Sequence, residues 1–230
     1  MPASTTFTVT PETQVRRRPE RASYDRASAY AILDEGLVAT VAFVAGETPC
    51  AIPMAYARHA DVLLLHGASS SRLQRLLAGG GRVGVAVTLV DGVVLARSAM
   101  HHSLNYRSVV VFGQCSEVVE EGEKLAALAR LVDHVLPGRS AESRPPNALE
   151  LRATRVFALP LEEVSVKCRS GGPLEDADDL GLSHWAGVIP LELRASAPLA
   201  DALHAPRGAV PAAAVAYDRR RFVPFKEVAP

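Results

Sequence analysis

The chain has 230 residues, 48% of them hydrophobic, and its 25 Lys+Arg balance its 25 Asp+Glu to a formal net charge of zero. A domain of this length hides roughly 70% of its unfolded surface, so one sizeable core is expected. Balanced charge argues against nucleic acid as an obligate partner, and no apolar run approaches the ~18 residues that would mark a membrane-spanning helix. Three scattered cysteines, Cys50, Cys115 and Cys168, are too few for a disulfide framework or a zinc knuckle, so no metal site and a reducing cytoplasm are expected. The polar start, with Arg16-Arg17-Arg18, does not read as a signal peptide.

Taken in order, residues 1–23 carry Thr, Pro and Arg without an apolar period and read as an extended arm. Asp25 is placed to cap a helix running to about Glu35, with Ala29, Ile32 and Leu33 three and four apart and Gly36 ending it. Short β runs follow at 37–44, 51–57 and 62–66, linked by hairpin-length turns. A helix over 71–78 ends at Gly79-Gly80-Gly81. Strands resume at 82–90 and 93–97 across Asp91-Gly92, the strongest hairpin signal in the chain. A strand over 108–118 comes next, then an amphipathic helix over 120–136 with Leu125, Leu128, Leu131, Val132 and Val135 on one face. Residues 139–148 read as a polar loop, 151–159 and 163–169 as strands, and the rest as loop-rich. The expectation is a mostly β fold with flanking helices, a six- to seven-stranded antiparallel split or closed barrel. Its parts would be an arm at 1–23, a barrel domain at 24–192 and a tail at 193–230. A dinucleotide-binding Rossmann sheet is disfavoured, because helices and strands do not alternate and no GxGxxG follows a first strand.

Four constellations could carry chemistry. His66-Gly67-Ala68-Ser69-Ser70-Ser71-Arg72 lies between a strand end and a helix start, where small residues, free N–H groups and Arg72 suit a phosphate. A serine cap on a surface helix explains the serines, but not Gly67 and Arg72 together. Pro53 with Ile52, Met54, Ala55 and Tyr56 places a proline inside a strand, which implies an edge or an interrupted ladder with backbone groups left for a planar ligand. The segment from Ser98 to Gly113 crowds His101, His102, Asn105, Tyr106 and Arg107 before the apolar run at 109–112; either histidine alone is more often a surface-loop residue than a ligand. Lys167 and Arg169, two apart, share a strand face, and Trp185 could stack on a flat ligand or cover a barrel mouth. No GxSxG elbow points to a serine hydrolase.

In sequence order, several segments together resemble the flavin-nucleotide-binding branch of the pyridoxamine 5′-phosphate oxidase-like superfamily, which includes nitroimidazole-resistance proteins. They are the Arg-rich arm with Tyr24-Asp25, the step Leu33-Asp34-Glu35-Gly36, Ile52-Pro53-Met54, His66-Gly67-Ala68 and Asp91-Gly92. They continue with His102-Ser103-Leu104-Asn105-Tyr106-Arg107-Ser108, Asp133-His134, Lys167-Cys168-Arg169 and Trp185 to Pro190. The resemblance spans roughly 15–192 and implies an FMN-binding split-barrel homodimer with the cofactor between subunits. It implies that Ser69, Ser70, Ser71 and Arg72 hold the flavin phosphate, following the His66-Gly67-Ala68 turn. Pro53, Met54, Ala55 and Tyr56 would line the isoalloxazine and Asn105, Tyr106 and Arg107 would border it. Lys167 and Trp185 would reach the neighbouring subunit's site, with His102 and Tyr106 as candidate catalytic groups toward a small-molecule substrate. The implied activity is an FMN-dependent oxidoreductase; the alternative is a non-catalytic barrel binding flavin, deazaflavin or heme. Relatives often carry glycine followed by basic residues after the His-Gly-Ala turn, whereas this chain has three serines and Arg72 alone.

Overall fold

The computed structural model describes residues 4–203 and 208–219. Ten antiparallel strands, rather than six or seven, form one sheet whose neighbours run β1-β9-β6-β5-β2-β3-β4-β8-β7, with β10 added on β5. The strands are β1 Ala22–Ser23, β2 Val38–Ala45, β3 Thr48–His59, β4 Val62–Ala68, β5 Arg82–Leu95, β6 Ser103–Gln114, β7 Ser116–Glu117, β8 Thr154–Pro160, β9 Glu163–Arg169 and β10 Gly187–Pro190. The helices are α1 Arg26–Glu35, α2 Arg72–Ala78, α3 Glu121–Val135, α4 Ala148–Ala153 and α5 Ala212–Val215.

Alternation puts Ala39, Val41 and Phe43 of β2, Val83, Val85 and Val87 of β5, and Val109 and Val111 of β6 inside. Leu63, Leu65, Phe157 and Ile32 of α1 complete this core; each such side chain contributes about 1.5–3 kcal/mol on burial. A second cluster, Ala57, Leu64 and Val156, packs beneath Ala127 and Leu131 of α3. Asp25 does cap α1, accepting from the Ser28 N–H at 2.7 Å, and Glu120 caps α3.

Several expectations are corrected. Asp91-Gly92 is no hairpin: β5 runs through it as one strand, with a register shift between Val90 and Gly92. Gly92 is not among the glycines at positive φ, which a tight two-residue hairpin would use, and the Asp91 carboxylate is taken by Arg107. The loop expected at 139–148 contains a 3-10 turn, Arg139–Glu142. The strand expected from 151 begins instead as α4, opened by a capping box between Asn147 and Glu150. The expected extended arm docks on the domain: Phe7 and Thr13 are buried, Arg26 lies over the Phe7 ring at 4.4 Å, and the Val15 N–H donates to the Tyr24 hydroxyl at 3.0 Å. Of the expected tail, residues 204–207 and 220–230 lie outside the described residues.

β3 is shared between two halves of the sheet. Its residues 48–55 pair with β2, and only Tyr56 to His59 pair with β4. The stretch 48–55 is therefore open along its β4 side. Both prolines of the strand, Pro49 and Pro53, sit in this stretch, as an interrupted ladder requires.

Candidate functional site

The open side of β3 is the first place where candidate residues meet. The turn after β4 is fixed by the Ser69 N–H donating to Ala153 O at 2.9 Å. Ser71 accepts from the Gln74 N–H at 3.2 Å and so caps α2. The Arg72 guanidinium lies 3.5 Å from Cys50 Sγ, which brings the serine turn to the start of β3. Ile52, Pro53 and Ala55 are exposed here and Met54 is half-buried. Tyr56 is different: it is fully buried, donates its hydroxyl to Leu33 O at 2.6 Å, and burial holds its pKa above the ordinary phenol range. Its side chain belongs to the core.

His66 is half-buried on β4, and its Nδ1 is buried without a hydrogen-bond partner. Burial lowers its pKa from 6.5, so it stands as a neutral imidazole.

A second cluster gathers on β6 and β9. Asn105 is buried, donates to Gly171 O at 3.1 Å and accepts from Arg169. Tyr106 stands opposite Arg169 in register. His102 is exposed, with Nδ1 3.1 Å from Ser98 O. His101, His102, Lys167 and Arg169 line one cavity of about 250 Å³ with Arg17, Arg18 and Arg21 of the arm. Lys167 and Arg169 thus share a face, as their spacing requires, but at Arg169 that face is not solvated.

Arg107 stands apart from both. Its guanidinium donates to Glu35 at 2.7 and 2.8 Å and to Asp91 at 2.9 and 2.7 Å. Burial alone would lower its pKa; the two carboxylates outweigh that and raise it. Trp185 is two-thirds exposed, its ring against Gly187.

These clusters are not in one place within one chain. β6 and β3 are separated by β5 and β2, so at ~4.8 Å per strand they stand about 14 Å apart.

One residue had no local signal at all. Arg219 is buried and its guanidinium donates to the carbonyls of Asp34 at 2.7 Å, Glu35 at 2.8 Å and Gly36 at 3.0 Å, and to that of His134. It serves the open carbonyls at the end of α1. The basic arm was visible in the sequence, but its convergence with β9 was not.

A barrel whose sheet is opened along one shared strand belongs to the split β-barrel class. The pyridoxamine 5′-phosphate oxidase family model matches residues 25–168, and the chain belongs to that family. It is similar to the flavocytochrome Anf3 of Azotobacter vinelandii, with 33% identity over 91% of this chain and 97% of that one, TM-score 0.86. It is also similar to the FAD and heme binding protein of Mycobacterium smegmatis, with 36% identity over 84% and 95% and TM-score 0.79. A proposed 5-nitroimidazole antibiotic resistance protein of Bacteroides thetaiotaomicron shares the fold, with 18% identity over 64% and 85% and TM-score 0.55. No curated protein matches the chain.

Proposed function

We infer that the protein is a flavin-binding redox protein acting as a homodimer, with the flavin along the open side of β3 and its phosphate end at Ser69, Ser70, Ser71 and Arg72. The observation that carries this reading is the unpaired stretch of β3 beside a turn whose exposed Arg72 reaches Cys50 at the start of that strand. Exposed backbone groups there suit the edge of a planar heterocycle, and Arg72 suits a phosphate. A bound flavin would supply hydride and electron transfer, and the chain would orient it and control access. FMN is the smallest flavin that this turn suits; FAD is the form named for the Mycobacterium smegmatis relative.

A second copy is part of the reading. The outer faces of three neighbouring strands carry Val38, Thr40, Ala42 and Val44, then Pro49, Ala51, Pro53 and Ala55, then Gly84, Ala86, Thr88 and Val90, with no charge among them. Exposed apolar faces of this kind mark interfaces. Packing there would bring the β6–β9 cluster of one copy toward the β3 of its partner, with His102 and Tyr106 as the candidate groups nearest a small-molecule substrate. A cytoplasmic location belongs to the same reading, supported by three free cysteines; among the described residues no helix is long and apolar enough to cross a membrane.

The test is the spectrum of the purified full-length protein. A two-band flavin absorbance is expected, and a colourless sample that does not respond to added FMN or FAD would overturn the reading. Arg72→Ala should weaken flavin binding by about 10- to 100-fold, the worth of one charge-assisted phosphate contact, while Arg16→Ala leaves it unchanged. Equal effects would refute the phosphate assignment.

Heme is a second reading, favoured by His66. Axial ligation needs a neutral imidazole with a free nitrogen, and His66 fits: Nδ1 has no partner, and burial disfavours its protonated form. A Soret band lost in His66→Ala would support it; a band retained there would exclude His66 as ligand. Because the folded-state pKa lies below the unfolded value, His66 costs stability as pH falls through the ordinary histidine range near 6.5. His66→Ala should flatten that part of the stability profile, which urea titrations at pH 7.5 and 5.5 would measure.

A further inference from the structure

We propose that the cavity between the N-terminal arm and β9 is a binding site for a phosphate- or diphosphate-bearing small ligand. The proposal stands on its own observations and does not depend on where a flavin binds.

The chain is neutral overall, so a local excess of one charge needs an account. Arg17, Arg18, Arg21, Lys167 and Arg169 converge on one cavity of about 250 Å³, with His102 at its wall. Carboxylates close by are not among its lining residues: Glu20 is 3.8 Å from Arg18, with both side chains more than half exposed, and Asp176 and Asp179 gather at His101.

Arg169 makes the excess plain. It is only 7% exposed, and its guanidinium donates to neutral oxygens alone: Asn105 Oδ1, Gly171 O and Gly172 O. Its Nε is buried with no partner. Burial and the neighbouring Arg21 both push its pKa down. A buried cation without a counter-charge is costly, and an anion in the cavity would relieve it.

The arm is built to hold these cations there. Lys167 Nζ donates to Arg17 O at 3.0 Å, and Ala22 and Ser23 of β1 pair with Lys167 and Val166. Between them Arg18 adopts φ 58, ψ 59, a left-handed conformation unfavourable for a non-glycine residue. That bend, followed by Pro19, turns Arg17, Arg18 and Arg21 toward one cavity. Forked guanidinium donors with a lysine point charge are the side chains that recognise phosphate. The turn at residues 69–72 offers Arg72 alone, so a multiply charged phosphate group finds far more cationic charge here.

Two sources share this chemistry: the diphosphate of a dinucleotide cofactor, or a separate phosphorylated ligand. Isothermal titration of the full-length protein with inorganic pyrophosphate, in flavin-free and FAD-loaded forms, separates them. We expect one-to-one binding to the flavin-free protein, weakened at least about tenfold by Arg18→Ala and by Lys167→Gln and unchanged by Arg130→Ala on the exposed face of α3. Binding blocked by FAD assigns the cavity to the dinucleotide; binding undiminished by FAD assigns it to a separate ligand. Absence of pyrophosphate binding in both forms, or equal weakening by Arg130→Ala, would overturn the proposal. Neither result bears on the flavin absorbance test.

Discussion

Arg107→Ala is expected to destabilise the protein by about 3 kcal/mol. The guanidinium is held in a fork between Glu35, at the end of α1, and Asp91, at the irregularity in β5. Its side chain is 11% exposed, with Glu35 at 12% and Asp91 at 34%. Removing one member of a buried ion pair typically costs about 3–5 kcal/mol, because the remaining charges lose their partner while staying out of water. Partial exposure of Asp91 places the effect at the lower end. For a chain of this size that corresponds to a fall in Tm of roughly 6–12 °C. Arg107→Lys should recover only part of it, since one ammonium cannot fork to two carboxylates. Urea unfolding followed by circular dichroism measures both; a change within about 0.5 kcal/mol for Arg107→Ala would mean that the clamp contributes nothing to stability. Arg107 was expected to border a flavin, and this engagement gives it a structural task first.

On the proposed homodimer, the double variant Val38→Glu/Val44→Glu should yield a monomer of 24.4 kDa that no longer holds flavin. Both side chains are more than half exposed in the single chain, at 55% and 57%, so the fold itself loses little. In an interface, however, two carboxylates per copy would be desolvated without partners. Light scattering on a sizing column and the flavin absorbance of the eluted peak are the paired readouts. A dimer that survives the substitutions places the interface elsewhere. A monomer that keeps its flavin would show that one chain completes the site, despite the strands that separate β3 from β6.

Much of the fold was legible because local and global preferences agree. Asp25 capping α1, Glu120 opening α3 and the run from Glu163 to Arg169 are signals whose causes lie within a few residues. β2 carried a further clue: Val38–Ala45 is apolar at nearly every position although only alternate residues reach the core, the mark of a strand with both faces to cover. The misses have non-local causes. Asp91-Gly92 has hairpin chemistry, but Arg107 and the pairing of β10 with β5 make it the middle of a strand. β10 is four residues long and finds its partner about ninety residues back. One miss was local instead: the Asn147–Glu150 capping box is a readable signal that points to α4. The serine turn and Pro53 were legible as binding candidates by residue type; the cationic cavity was not, because the arginines of its arm lie some 150 residues from Lys167.

Arg219 has a consequence for how the chain matures. Its contacts with the carbonyls of Asp34 and Glu35 span 185 and 184 residues. At roughly 5–20 residues per second of synthesis, α1 exists for on the order of 10–40 s before the residue that closes its end is made. During that interval α1 can dock through Ala29, Ile32 and Leu33, while the polar end waits for water or a neighbour. The clasp therefore sets late, after α1 has already packed through its apolar side.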